Sequence, residues 1–435
     1  LKGICTVTIE NKSDKSIGKI PFLLYRLMKV TSIQNQHGNE LDFNQNIVSF
    51  SDFEKLQVNS IRINTNIEPK NTTTLKIQYD GYLLGYQETG IGYIKDRISK
   101  NFTLIRMDSY SYPILAEPSI GFLRKNIGSD NFTYKLSVTV PESLIVANGG
   151  HLLSKNTENS NTTYKYESKN PTWRIDISIS TYQFGTKGRL DIFYLQNDST
   201  IAKALLDQGS KVLKLYTQWW GELKNDNSIT IIETEEGSGG QASETAILLP
   251  QESFTTNSYS HLYHELSHLW NVAINEKEGL SPRWEEGLAT FCEYYVYEYL
   301  NTEKKGILDK DANKVIIRMK KIFDAKPKMY EIPMYEFGNK GLTDYSYNQG
   351  MVMFTVFYKL VGKEKFDLIV RSFYEQYHNS GATTICFTDL CEKVIQRKGV
   401  KKFFNDWIYT ANYTFFIRDE NTIDEIVKHY EDDFR

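Results

Sequence analysis

The chain has 435 residues, 40% hydrophobic and 24% charged, which is typical of a globular protein with more than one domain. Its net charge of −3 gives no electrostatic basis for binding nucleic acid or an anionic membrane surface. No run of about 18 apolar residues occurs, so no membrane span is expected in this chain.

Residues 1–195 are predicted to form a β-domain with little helix. Apolar and polar residues alternate there as in half-buried antiparallel strands, and Asn, Gly, Ser and Lys fill the turns between them. The clearest strand segments are residues 5–9, 75–79, 134–140 and 173–179.

Beyond residue 195 a helical period takes over, and residues 196–435 are predicted to be a second, mainly helical domain. Its first helix begins near residue 201, with Asp198 or Ser199 as the N-cap. One strand, Ile229–Ile232, and a glycine cluster that ends at Gly240 follow this helix. Further helices are predicted at about 257–272, from Ser281 with Pro282 in the first helical position, and at about 348–361, 363–378, 388–397 and 420–432.

Residues 264–268 read His-Glu-Leu-Ser-His. Two histidines four positions apart lie on one face of a helix, which is the geometry that a tetrahedral zinc ion needs from two ligands. With Glu286 on the next predicted helix, His264 and His268 are expected to hold one Zn²⁺ per chain. Glu265 would take a proton from the water at the open position. The alternative is a helix with two solvated histidines, but three of only 7 histidines cluster here.

Several segments, in the same order along the chain, resemble the gluzincin zinc aminopeptidases of the aminopeptidase N and leukotriene hydrolase type. Residues 112–118 are similar to the family's Phe-Pro-x-x-Asp-Glu-Pro element, residues 347–350 to its Tyr-x-x-Gly, and residues 403–407 to its closing helical element. The resemblance implies an α+β multidomain fold, with an N-terminal antiparallel β-sheet domain followed by a thermolysin-like, mainly helical zinc metallopeptidase domain. It also implies a truncated form without the family's large C-terminal helical domain.

The resemblance also assigns roles to Tyr347, Glu244 and Gly240, and the position of Glu293 two helical turns beyond Glu286 suggests a fourth role. Tyr347 would stabilise the oxyanion beside the metal, with packing as the alternative. Glu293 would hydrogen-bond a zinc-ligating histidine, with a plain surface role as the alternative. Glu244 can be aligned with the glutamate of the family's Gly-x-Met-Glu-Asn motif, which binds the substrate's α-amino group, and Gly240 is expected beside the substrate. For Glu244 the alternative is an exposed loop residue, and the Gln or Glu that the family's β-domain adds to the amine site has no clear counterpart.

The predicted function is that of a zinc-dependent metallopeptidase, more narrowly an aminopeptidase that hydrolyses N-terminal residues of peptide substrates. Two alternatives stay open: an open-cleft endopeptidase or tripeptidase, and a non-catalytic peptide-binding module of a larger membrane-associated protein. The chain begins at Leu1 rather than Met and almost directly enters a strand-like segment. We therefore expect a soluble domain excised from a longer protein, including the case of one tethered to a membrane protein through missing segments.

Overall fold

The structure is a computed structural model of the chain and describes residues 1–126, 131–225, 228–255, 259–419 and 422–435. A β-rich N-terminal unit precedes a mainly helical second unit. Within the described residues, no helix has both the length and the apolar character that crossing a membrane requires.

The N-terminal unit is built from short antiparallel sheets. Its strands are β1 (Lys2–Glu10), β2 (Ile17–Tyr25), β3 (Met28–Asn35), β4 (Phe43–Phe50), β5 (Phe53–Ile67), β6 (Thr72–Gly81), β7 (Phe102–Ile105), β8 (Ile114–Leu115), β9 (Lys135–Pro141), β10 (Ile145–Asn148), β11 (His151–Glu158), β12 (Asn161–Glu167) and β13 (Ile177–Ser180). Helix α1 (Ile120–Asn126) lies between β8 and β9. The strands pair in the orders β1-β6-β3, β4-β5-β2-β8, β11-β12-β9 and β10-β13-β7.

Three of the four segments that the period-two alternation predicted as strands coincide with strands of the structure. The predicted segments 5–9, 75–79 and 134–140 fall on β1, β6 and β9. The fourth prediction, 173–179, was wrong in its first half, because the strand begins only at Ile177. Before it, Arg174 folds back onto Asp176, with 2.9 Å between Nε and Oδ1, so this short stretch forms a buried ion pair instead of a β-ladder.

The second unit places helices around one mixed sheet. Its strands are β14 (Gln183–Lys187), β15 (Leu190–Tyr194), β16 (Ile229–Thr234), β17 (Gln241–Ala242) and β18 (Ala246–Pro250). Its helices are α2 (Ser199–Trp220), α3 (Glu252–Thr255), α4 (Ser260–Ser267), α5 (Trp284–Leu300), α6 (Ile307–Ala325), α7 (Asp344–Val361), α8 (Lys363–Tyr377), α9 (Thr384–Ile395), α10 (Gly399–Phe404), α11 (Tyr413–Asp419), α12 (Ile423–Lys428) and α13 (Glu431–Phe434). The sheet has the order β14-β15-β16-β18-β17, with β15, β16 and β18 parallel and β17 at one edge.

This sheet bears on where the two units divide. Strands β14 and β15 precede residue 195 but pair with β16, and Leu190 and Ile192 are buried in the core of the helical unit. We therefore propose that the second unit begins at Gln183. The change of period after residue 195 marks its first helix, α2, whose N-cap is Asp198, one of the two predicted candidates.

The helix that carries both histidines is shorter than predicted. Helix α4 ends at Ser267, and one 3₁₀ turn, His268–Trp270, completes it, so the predicted extension to residue 272 was wrong. Its predicted start near residue 257 lies outside the described residues, as does the predicted start of the last helix at residue 420. The last predicted helix is two short ones, α12 and α13.

Three other helices begin at residues that differ from the predicted ones. Helix α5 begins at Trp284 and not at Pro282, because Arg283 adopts a left-handed conformation that an α-helix excludes. Helix α7 begins at Asp344, ahead of the predicted 348. Helix α9 begins at Thr384, ahead of 388, where the Thr383 hydroxyl accepts a hydrogen bond from the Cys386 amide as an N-cap.

Packing of this unit fixes the elements around α4. Helix α4 contacts β17 and β18 on one side and α5 on another. Behind them lies a continuous core of buried side chains, whose largest members include Trp220, Trp270, Trp284 and Trp407. The histidines are thus held between an edge strand and the helix that bears Glu286.

Candidate active site

Helices α4 and α5 bring the three predicted metal ligands together. His264 Nε2 and His268 Nε2 lie 3.4 and 3.3 Å from Glu286 Oε2. All three donor atoms are within 4.8 Å of one another. Zinc–nitrogen and zinc–oxygen bonds of about 2.0–2.2 Å in tetrahedral geometry put donor atoms roughly 3.3–3.5 Å apart, which agrees with the two distances from Glu286 to the histidines, so these residue types and distances suit a zinc ion.

Each histidine ring has a polar neighbour on its other nitrogen. The Asn271 side-chain amide lies 2.6 Å from His268 Nδ1. Glu293 Oε2 lies 3.8 Å from His264 Nδ1, beside the predicted nitrogen but beyond hydrogen-bond distance. A partner hydrogen-bonded to Nδ1, as at His268, fixes the ring orientation and leaves Nε2 for a metal.

Glu265 is buried beside these ligands. It is 6% exposed, and burial raises the pKa of its carboxyl to about 7, with His264 opposing the shift and Glu286 and Glu293 adding to it. Gly240, immediately before edge strand β17, abuts this carboxylate: a Cβ at Gly240 would overlap Oε1 and lie 3.1 Å from Cδ. Because Gly240 lacks a Cβ, the chain can pass close to Glu265 without displacing its carboxylate.

Tyr347 lies over the first histidine. Its ring is parallel to the imidazole of His264, at 10° and with 5.9 Å between ring centroids. Burial and the Glu286 carboxylate raise the pKa of Tyr347, so the phenol keeps its proton and can donate a hydrogen bond.

Glu244 lies apart from this group. It sits in the turn between β17 and β18, where its Oε2 accepts a hydrogen bond from the Thr172 hydroxyl at 3.0 Å. Burial raises its pKa, and Arg174 is a further electrostatic neighbour. Within the described residues, its side chain makes no polar contact with the metal ligands.

A second carboxylate, Asp108, was missed by the sequence analysis. Gln241, next to Gly240, donates from Nε2 to Asp108 Oδ1 at 2.8 Å. Arg174 Nη2 lies 2.8 Å from Asp108 Oδ2. Burial alone would raise the pKa of Asp108, but Arg174 and Arg106 outweigh it and lower the pKa to about 2. The only sequence signal was an acidic residue shortly before the element at residues 112–118.

Residues 241–407 match the family model described as the peptidase family M1 domain. This segment of the chain, and not the whole chain, is identified as a peptidase family M1 domain. His264, His268, Glu286, Glu265 and Tyr347 all lie inside the matched range. The resemblance to gluzincin aminopeptidases is thereby confirmed, and with it the prediction of a zinc-dependent metallopeptidase.

Solved structures agree with this M1 domain in fold. An M1 zinc metallopeptidase from Deinococcus radiodurans, in a mutant form bound to a Tyr-Ser-Ala substrate, matches with a TM-score of 0.65 and 14% identity, over 94% of this chain and 90% of that chain. A two-domain M1 zinc metallopeptidase mutant bound to L-arginine matches with a TM-score of 0.62 and 15% identity, over 94% and 89%. Yeast LTA4 hydrolase in complex with bestatin matches with a TM-score of 0.60 and 13% identity, over 93% of this chain and 64% of that chain.

At such low identities these structures establish the fold alone, and they confirm the predicted order of a β-domain followed by a mainly helical domain. Among curated protein sequences the chain has no match.

Proposed function

We propose that the protein is an aminopeptidase that holds one zinc ion per chain and releases N-terminal residues from peptides. The observation that carries this proposal is the convergence of three donor atoms within 4.8 Å, with a buried Glu265 beside them and edge strand β17 directly alongside. An edge strand offers free backbone N–H and C=O groups, to which an extended peptide can add as a further strand.

The residues around the ion divide the chemistry of peptide hydrolysis between them. Zinc, when bound, supplies Lewis acidity that lowers the pKa of water and polarises a carbonyl group. Glu265 takes the proton of the attacking water and returns it to the leaving amine. Tyr347, which keeps its own proton, donates a hydrogen bond to the oxyanion that develops on the scissile carbonyl.

An aminopeptidase also needs a negative group where the substrate's ammonium lies. Asp108 and Glu244 are the two candidates, and Asp108 is the better supported. It accepts a hydrogen bond from the Gln241 side chain, and the preceding residue, Gly240, abuts Glu265, so two consecutive residues link Asp108 to the proposed general base.

The charges around Asp108 favour an ammonium. Arg106 and Arg174 are paired with three carboxylates: Asp96, Asp108 and Asp176. The cluster therefore carries one more negative than positive formal charge. Asp108 is its most exposed acid, since 15% of its side chain is accessible, whereas the side chains of Asp96 and Asp176 are 0% and 4% accessible.

The decisive experiment compares a tripeptide that has a free amino terminus with its N-acetylated twin. A tripeptide is chosen because the related metallopeptidase from Deinococcus radiodurans was solved with Tyr-Ser-Ala. We expect release of the first amino acid from the free peptide only, complete loss of hydrolysis with a chelator, and recovery on addition of zinc. The Glu265→Gln variant is the matched control, and it should bind zinc but lose activity by at least about 100-fold.

Two results would contradict the proposal. Equal cleavage of both peptides would favour the open-cleft endopeptidase. No zinc-dependent hydrolysis across a broad set of peptides would favour the non-catalytic binding module.

A further inference from the structure

Arg283 has a strained backbone directly before the helix that carries a metal ligand. Its φ and ψ are 59° and 39°, in the left-handed region that residues with a Cβ rarely adopt. The Ser281 hydroxyl secures this turn by accepting a hydrogen bond from the Arg283 amide at 3.0 Å. Glycine would adopt this conformation freely, so a long charged residue at this position indicates a role for its side chain.

The side chain of Arg283 reaches the metal-binding carboxylate. Its Nη2 donates to Glu286 Oε1. The other oxygen of Glu286, Oε2, faces the Nε2 atoms of both histidines at 3.4 and 3.3 Å. The two oxygens of one carboxylate are therefore divided, one to a guanidinium and one to the metal donors.

Arg283 is more exposed than the carboxylate that it contacts. Its side chain is 40% exposed, while that of Glu286 is 9% exposed. Because a guanidinium stays protonated, Arg283 places a permanent positive charge beside the buried carboxylate of Glu286.

We propose that Arg283 is a positioning residue for the metal centre: it binds the outer oxygen of Glu286 and restricts this ligand to its inner oxygen. A carboxylate held by one oxygen leaves a coordination position for water or a substrate carbonyl, whereas a bidentate carboxylate would fill it. This inference rests on the proposed function for the identity of the ion, but the division of the two oxygens belongs to the chain itself.

The test uses three variants of the full chain and one control. Arg283→Gln removes the charge, Arg283→Lys keeps it, and Arg283→Gly removes the side chain while relieving the backbone. Gln396→Gly is the control, because Gln396 is also left-handed, with φ 56°, but ends helix α9 away from the metal ligands. Zinc affinity is measured by competition with a chromophoric chelator, and the coordination number from the visible spectrum of the cobalt(II)-substituted protein.

We expect Arg283→Gln and Arg283→Gly to weaken zinc binding by about 10–100-fold and to shift the cobalt spectrum towards a higher coordination number. Arg283→Lys should recover part of the affinity, and Gln396→Gly should match the wild type. The loss in Arg283→Gly should occur without a fall in the melting temperature of the metal-free protein, which separates positioning from folding.

Unchanged zinc affinity and an unchanged cobalt spectrum in Arg283→Gln and Arg283→Gly would overturn the inference. Arg283 would then only neutralise the Glu286 carboxylate when no metal ion is bound. Zinc binding by the wild type without peptide hydrolysis would overturn the proposed function and leave this inference standing. A wild type that binds neither zinc nor cobalt would overturn both.

Discussion

Gly287 and Gly350 bring helices α5 and α7 into direct backbone contact: a Cβ at Gly350 would lie 2.6 Å from the Cα of Gly287. Gly287 follows Glu286, and Gly350 lies one helical turn after Tyr347. The crossing of these two helices therefore sets how close the Glu286 carboxylate and the Tyr347 phenol can come. The glycines in Trp-Glu-Glu-Gly and Tyr-x-x-Gly are packing residues that serve the site.

Gly287→Ala should destabilise the protein by about 1–3 kcal/mol or more, because the added methyl meets backbone that cannot move aside. Urea unfolding measures the free energy change. Gly92→Ala is the control, since a Cβ at Gly92 meets no atom within 4 Å. Equal stability of the two variants would show that the helices do not cross as described.

Gly240→Ala should impair catalysis while sparing the metal. The new methyl would overlap Glu265 Oε1 and displace the general base, which should lower kcat by about 100-fold. Zinc content, measured by atomic absorption, should stay at one ion per chain. A Gly240→Ala variant with normal kcat would show that the position of Glu265 does not depend on the close approach of the chain at Gly240.

Tyr347→Phe should lower kcat by about 100–1,000-fold with little change in KM, because the phenol acts on charge that develops only in the transition state. Steady-state kinetics on the free tripeptide measures both constants. A rise in KM at constant kcat would instead assign Tyr347 to ground-state binding.

Asp108→Asn should lower kcat/KM for a free-amine peptide by at least about tenfold, because it removes the negative charge opposite the ammonium. The matched variant Glu244→Gln should change it by less than about twofold. A larger loss of kcat/KM in Glu244→Gln than in Asp108→Asn would assign the binding of the substrate's ammonium to Glu244, as the sequence alone suggested.

Glu233→Gln should stabilise the protein at alkaline pH. Burial and the neighbouring carboxylate of Asp198 raise the pKa of Glu233 from 4.5 to about 8, against the hydrogen bond donated by the Leu195 amide. Since the folded state holds this proton more tightly than the unfolded state, wild-type stability falls as the pH rises from about 4.5 to about 8.

The glutamine variant lacks this ionisation, so its advantage in unfolding free energy should grow over the same pH range to about 1–3 kcal/mol. Urea unfolding of both proteins at about pH 5 and about pH 9 measures this difference. A difference that does not depend on pH would contradict the assigned titration.

Local spacing made the centre of this site predictable. His264, Glu265 and His268 belong to one helical turn, so their relation needs only the helix period. Helix boundaries were less predictable, because they depend on single residues such as Arg283, whose left-handed backbone delays the start of α5 beyond Pro282. The Arg283 side chain, which accounts for this conformation, contacts Glu286. The Ser281-Pro282 capping signal in the sequence gives no information about this contact.

By itself, the amino-acid sequence determined the β-then-helical order and predicted the grouping of His264, His268 and Glu286 with Glu265 beside them, because strand and helix periods and a one-turn motif are local properties of the chain. Only the tertiary structure decided that Asp108 meets Gln241, that Arg283 holds one oxygen of Glu286, and that Glu244 turns to Thr172. These contacts, except that of Arg283, join residues far apart in sequence. All of them depend on side-chain directions that packing fixes and that spacing cannot encode.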